Sequence, residues 1–296
     1  MQTPEPAITR GIVIFIGAWL IIPVMDGGAK YLGQAGYSVL LVVWARYAIN
    51  LIMVVPLAKV ASGRVFAVPP DAALQTVRAV SLVGATLGFY MGIQTLPLVE
   101  ALAIYFVYPL IVTALAPLML SEIPGVRRWM AVGVGFAGSL LVIQPGGAPL
   151  NQGTPYVLGG AVCFAIYNIL TRKLSGRSDA WQKLTFQMLV GTVIMAPVLL
   201  FVWQPVSGPA VLVLIMMASA STIGHYLIIR AYEYAPASVL APFSYFEIVS
   251  MAIIGFFVFG DIPTGTTWAG AAVIVLSGVY ISLRERRRAT EEVRDR

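Results

Sequence analysis

Positive charge is missing from every second connection of this chain. Apolar runs can be read at about 10–32, 38–58, 74–95, 98–120, 128–144, 155–172, 184–203, 209–230, 237–259 and 266–283. A bilayer core about 30 Å thick takes roughly 20 residues of helix, so each run is long enough to cross. The connections Tyr31–Tyr37, Leu96–Pro97, Gln144–Thr154, Gln204–Gly208 and Gly260–Gly265 hold neither Lys nor Arg. Charge is scarce throughout: 11% of 296 residues are charged, against about 25% in an average soluble domain, and mean hydropathy is +0.86. These shortages exclude a soluble domain. They predict an all-α polytopic membrane protein of ten transmembrane helices.

Other absences narrow the chemistry. The one cysteine, Cys163, lies inside an apolar run, so no intrachain disulfide forms and packing is its expected role. With one cysteine and one histidine there is no ligand set for a metal, and no cofactor is expected. No Gly-x-x-x-x-Gly-Lys-Ser/Thr loop occurs, which rules out a built-in nucleotide motor, and no Gly-x-Ser-x-Gly elbow occurs either. A net charge of +6 in a soluble chain would suggest a nucleic-acid partner. Here the surplus sits in loops and tail, where orientation and anionic lipid account for it. The first run, Gly11–Met25, is too long for a signal-peptide core and is read as a retained first helix.

The basic residues that are present fill the other connections. These are Arg10; Lys59 and Arg64; Arg127 and Arg128; Arg172, Lys173, Arg177 and Lys183; and the tail from Arg284 to Arg296. They make up 15 of the 19 and predict an inner (cytoplasmic) membrane protein with both termini cytoplasmic. A nine-span reading would break the alternation and is rejected. Pro56, Pro69, Pro70, Pro145, Pro149, Pro205 and Pro263 fall at expected span ends or in loops, where a missing N–H is harmless. Pro109 and Pro242 fall inside spans four and nine, where each frees a carbonyl and permits a bend. Glycines in spans five (Gly133, Gly135, Gly138) and ten (Gly270, Gly278) let helices approach closely; a homodimer seam is the second reading.

The two halves repeat. Tyr90, Leu96-Pro97-Leu98-Val99-Glu100-Ala101, Tyr105, Tyr108-Pro109 and Glu122-Ile123-Pro124 are matched in order by Tyr226, Tyr234-Ala235-Pro236-Ala237-Ser238, Phe243, Tyr245-Phe246-Glu247 and Asp261-Ile262-Pro263. Division at 1–147 and 148–296 leaves five spans per half. An odd number places the second half upside down, an arrangement that builds secondary transporters with a midplane site at the repeat interface.

On these landmarks, with Asp26-Gly27-Gly28-Ala29-Lys30 and Trp44-Ala45-Arg46-Tyr47, the chain resembles the drug/metabolite transporter superfamily of EamA type over essentially its whole length. The resemblance implies ten helices in two five-helix repeats and an inner-membrane carrier working by alternating access. It also implies a central cavity lined mainly by helices 1, 3, 4, 6, 8 and 9. It is nearly silent on substrate.

Four basic residues remain inside spans: Lys30, Arg46, Arg78 and Arg230. The acids there are Asp26, Glu100, Glu233 and Glu247. A charge at the bilayer centre costs at least about 3 kcal/mol, so such residues face a cavity or a partner. Helix rise puts Asp26, Lys30, Arg46 and Glu100 in one outer group and Glu247 near the midplane. It puts Arg78, His225, Arg230 and Glu233 toward the cytoplasm. The bland reading of Arg46 is an ion pair with Asp26; residues near span ends, such as Lys30, Arg230 and Glu233, can simply snorkel. Trp19, Tyr105, Tyr108, Tyr167, Asn168 and Tyr245 complete the candidate lining.

The leading expectation is a secondary carrier of a small polar metabolite bearing a carboxylate and an amine. Arg46, Arg78 or Lys30 would hold the anionic end, and Asp26 or Glu247 a cation or a coupling proton. The rival carrier takes a quaternary amine or a sulfonium like that of S-adenosylmethionine on Tyr and Trp faces. A membrane hydrolase built on Ser221 and His225, and a passive channel, stand further back.

Overall fold

In hydrocarbon every backbone N–H and C=O must be satisfied within the segment, and helices meet that requirement. The computed structural model describes residues 5–63, 68–96, 98–121, 125–143 and 152–259, with scattered positions from 265 to 276. Its described residues are helical, with no strand. In chain order the helices are α1 (Glu5–Ile21), α2 (Pro23–Gln34), α3 (Val39–Ser62), α4 (Ala72–Gly92), α5 (Leu98–Tyr105), α6 (Tyr108–Leu120) and α7 (Val126–Ile143). The second half has α8 (Thr154–Lys173), α9 (Ala180–Met195), α10 (Leu199–Val202), α11 (Gly208–Tyr234), α12 (Ala237–Leu240) and α13 (Phe246–Phe259). Among the described residues six crossings have the length and composition to span alone, and Tyr108–Leu120 and Phe243–Val258 are shorter apolar helices. Most of the tenth expected span, with the acidic-Ile-Pro endings, Arg64, the Arg tail, Pro145, Pro149 and Pro263, lies outside the described residues.

Proline punctuates the crossings. The first is broken in its middle, where α1 stops at Ile21 and Pro23 opens α2. Pro109 opens α6 two residues after α5 ends. Pro242 lies in a 3-10 turn, Ala241–Tyr245, that joins α12 to α13. Spans four and nine are therefore discontinuous at the prolines that the sequence places inside them. Pro56 differs from expectation: α3 runs on to Ser62, so Pro56 is inside the helix rather than at its end. The helix carries it because only one N–H is lost, and a neighbouring helix can absorb the bend.

Among the described residues four connections meet in two pairs. Tyr37 Oη donates to Ser207 Oγ at 3.1 Å, and Gln204 Nε2 donates to the Gly36 carbonyl at 3.5 Å. Those two connections lack basic residues. In the second, Arg177 pairs with Asp71 at 2.8 Å, joining two basic connections. The grouping matches the charge alternation.

Packing follows from small residues. Between helices in lipid there is no hydrophobic drive, so close backbone contact supplies the attraction. α4 lies along α8 and α1 along α11, with α3 against α9 between them. A Cβ on Gly88 would sit 2.5 Å from the Tyr156 carbonyl and 2.8 Å from Gly160 Cα; one on Gly160 would sit 3.0 Å from the Ala85 carbonyl. Gly92 likewise faces the Val157 side chain. On the α1–α11 side, Gly224 leaves room for Ile22 and Gly28 for Met217. Gly135 receives the Tyr245 ring, which accounts for that glycine by packing within the chain. Lys183, expected in a cytoplasmic connection, is instead fully buried in the first turn of α9. The Asp179 side chain caps that helix through Trp181 N at 2.9 Å, so it starts four residues earlier than its apolar pattern does.

Gly88→Val should force α4 off α8 and cost about 1–3 kcal/mol, the usual penalty of overpacking. Gly133→Ala, where a Cβ meets nothing within 4 Å, should leave stability unchanged or raised. Thermal unfolding in detergent checks both; equal midpoints would contradict the close-approach argument.

Candidate functional site

The breaks in the first, fourth and ninth spans flank a partly open pocket. Its lining includes Asp26 and Met25 from α2, Thr86, Phe89 and Tyr90 from α4, Tyr105 from α5, Phe164 from α8, His225 from α11 and Glu247 from α13. Trp19 closes one wall. An apolar wall with few polar groups is what small-molecule sites have.

Aromatic rings are packed into a continuous wall. Trp19 lies 5.9 Å from Phe164 edge to face, Phe164 meets Tyr108 at 4.8 Å, and Phe89 meets Tyr105 at 5.0 Å. Phe164 stacks on Tyr167 at 5.6 Å, and Tyr167 in turn meets the His225 ring. The two charged residues on the lining are both carboxylates, Asp26 and Glu247, each about 4% exposed. Among the described residues Glu247 Oε2, Trp19 Nε1 and Tyr90 Oη are buried with no hydrogen-bond partner. In a dry interior each such group costs about 1–3 kcal/mol unless something fills it.

Arg46 stands behind this lining. Its Nη1 donates to Ser221 Oγ at 2.6 Å and to Met25 Sδ at 3.2 Å, and Nη2 donates to Thr86 Oγ1 at 3.0 Å. The guanidinium also covers the Tyr47 ring at 4.5 Å. With its amide oriented to satisfy both ends, Asn50 accepts from Ser221 at 3.0 Å and donates to the Ala218 carbonyl at 2.8 Å. Among the described residues no ion pair joins Asp26 and Arg46. Met25 precedes Asp26 on α2, and it is Met25 that reaches the arginine. Ser221 is occupied by Arg46 and Asn50, while His225 Nδ1 lies 3.3 Å from Tyr167 Oη. That leaves the hydrolase pairing of Ser221 with His225 without geometry.

The remaining candidates divide. Trp19, Asp26, Tyr105, His225 and Glu247 line the cavity. Tyr108 and Tyr167 stand behind the lining: Tyr108 against Phe164, Trp19 and Tyr105, and Tyr167 against Phe164 and His225. Arg78, fully buried on α4, donates through Nε to Gln75 at 3.1 Å and through Nη2 to the Lys183 carbonyl at 2.8 Å. Asn168 is taken up by the Phe164 carbonyl and Tyr232 Oη. Tyr245 points away, donating to the Val132 carbonyl at 3.2 Å. Lys30 sits half-buried on α2, one turn from Asp26 and off the lining. The Glu100 side chain lies outside the described residues. Arg230 pairs with Glu233 at 2.5 Å. Thr86, Phe89, Tyr90, Phe164 and Asn50 were not foreseen; only Asn50, one turn from Arg46, carried a positional signal.

Comparison with known proteins fits this picture. The model of the EamA-like transporter family matches residues 9–144 and again 151–283. A riboflavin transporter of Vibrio cholerae is 27% identical over 286 residues, covering 96% of both chains. An S-adenosylmethionine uptake transporter of Rickettsia prowazekii is 24% identical over 278 residues, 94% of both. A pseudopaline exporter of Pseudomonas aeruginosa is 25% identical over 202 residues, 66% of this chain and 69% of its own. A crystal structure superposes with a TM-score of 0.79 over 93% of this chain and 98% of its own, at 17% identity, which establishes the fold alone.

Ser221→Ala should destabilise the protein by about 1–3 kcal/mol, because it strands a buried guanidinium donor. A fluorophosphonate probe should leave the wild type unlabelled. Covalent labelling that disappears in Ser221→Ala would restore the hydrolase reading.

Proposed function

The chain belongs to the EamA-like transporter family, and on that premise we propose that it is a secondary carrier for a metabolite with a flat ring and a cationic end. It is a multi-pass membrane protein and a transporter of a small metabolite, not an enzyme. The observation that carries the finer reading is the charge on the cavity wall: two carboxylates, Asp26 and Glu247, and no Lys or Arg among the described lining. Aromatic faces beside them suit a heterocycle, and add cation–π attraction for an ammonium or sulfonium. The names of the relatives, riboflavin and S-adenosylmethionine, fit that chemistry. S-adenosylmethionine combines both features and is the preferred cargo class. The carboxylate-first expectation loses weight because Arg46 and Arg78 stand behind the wall and Lys30 off it.

Transport proceeds by alternating access of two inverted five-helix units, divided near residue 147, in an inner membrane with both termini cytoplasmic. The support is the pairing of helices: a two-fold axis that exchanges the halves turns the α1–α11 contact into α8–α4 and returns α3–α9 to itself. The paired breaks at Pro109 and Pro242 obey the same axis. Glu247 and Asp26 share one proton with the cargo's positive end: cargo displaces the proton on one side, and the proton displaces cargo on the other.

In a ligand panel on purified protein, S-adenosylmethionine should raise the thermal midpoint saturably, with riboflavin weaker and glutamate or citrate without effect. Asp26→Asn and Glu247→Gln should each weaken the S-adenosylmethionine response at least tenfold, and Glu247→Gln should flatten the pH dependence of uptake. A response to anions alone, untouched by both substitutions, would overturn the assignment.

A further inference from the structure

Beyond the cavity, past His225 and Tyr167, a second polar cluster is buried where α4, α8 and α9 meet. Gln75 and Arg78 lie one turn apart on α4, and Lys183 and Gln187 one turn apart on α9, so each pair shares a face. All four residues are about 0% exposed. The two faces are in register: Arg78 donates to the Lys183 carbonyl at 2.8 Å and lies 5.6 Å above the Tyr167 ring. Gln187 lies beside the Tyr167 hydroxyl.

The cluster has donors to spare. Among the described residues Arg78 Nη1, Gln75 Nε2, Lys183 Nζ and both side-chain polar atoms of Gln187 are buried without a hydrogen-bond partner. Lys183 faces Glu233 at 3.6 Å, with Asp179 also nearby, and Glu233 is already paired with Arg230. Glu233 is thus shared between Lys183 and Arg230. The corresponding cluster in the other half is different. Arg46 stands seven residues after the start of α3, as Gln187 does after the start of α9. Arg46 has Ser221, Thr86 and Met25 to accept its terminal N–H groups. Both terminal nitrogens of Arg46 have protein acceptors, whereas Arg78 Nη1 has none among the described residues.

We infer that the Gln75–Arg78–Lys183–Gln187 cluster is a second binding site, selective for a carboxylate or similar small anion, one step along the path from the cavity. Unfilled N–H donors beside an arginine and a lysine bind an anion with charge-assisted hydrogen bonds. The Tyr167–His225 contact at 3.3 Å links the site to the cavity wall. A zwitterionic cargo would leave its positive end at Asp26 and Glu247 and reach this site with its carboxylate; a free anion would satisfy the same donors.

The test is thermal unfolding of the full chain in detergent, with sodium acetate replacing sodium methanesulfonate at constant ionic strength. Wild type should be stabilised saturably. Half-saturation should rise at least tenfold in Lys183→Gln and in Gln187→Leu; the second is uncharged and apolar in a span, and keeps the test open if the first fails to fold. No saturable acetate effect in wild type, or unchanged half-saturation in Gln187→Leu, overturns the site. A second arm, which rests on the proposed cargo, adds saturating S-adenosylmethionine: competition assigns the occupant as the cargo's carboxylate, and additivity assigns it as a free anion. Failure of S-adenosylmethionine to bind leaves the acetate result standing by itself.

Discussion

The grip on Arg46 is the interaction on which the rest depends. A guanidinium in a bilayer interior must be surrounded by acceptors, and here they come from three different crossings. Ser221 reaches it from α11, Thr86 from α4 and Met25 from α2, while Tyr47 covers its face. The arginine therefore ties the two halves of the chain together behind the cavity. Thr86 and Met25 belong to the cavity wall as well, so the position of the lining is set by the arginine that lies outside it.

The same requirement explains the breaks in the helices. A carbonyl freed by Pro23, Pro109 or Pro242 is tolerable only where protein or a wet cavity can receive it. The broken crossings accordingly converge on the one space that holds Asp26 and Glu247. Close contact of α4 with α8 through Gly88 and Gly160 keeps the wall rigid enough for Phe164 to reach between Trp19 and Tyr108. Packing of small residues, rings over the gap and charges within it form one mechanical unit.

Much of the fold was legible because hydrocarbon imposes strong rules. The order of the described crossings follows from hydropathy, and the breaks at Pro109 and Pro242 follow from missing donors; both reappear in the structure. Lys183 was misplaced because the Asp179 cap extends α9 below its apolar pattern. Pro56 was misplaced because a crossing helix tolerates a proline that would end a soluble one. The site was legible only in its charges. Depth along a helix could group Arg46 with Asp26, but depth says nothing of which helix face meets which neighbour, and Ser221 was the true partner. Gln187 breaks no charge rule and so gave no alarm, and Asn50 was marked only by its place one turn from Arg46. Tyr245 turned toward Gly135, a choice set by space on another helix.

The most direct measurement of the central claim, that this cavity carries cargo by alternating access, is counterflow in proteoliposomes. Vesicles are loaded with unlabelled S-adenosylmethionine and diluted into a trace of labelled compound. A carrier with the carboxylate-lined site described here gives a transient overshoot of label that Asp26→Asn abolishes. Flux that merely equilibrates, without overshoot or saturation, would contradict the account.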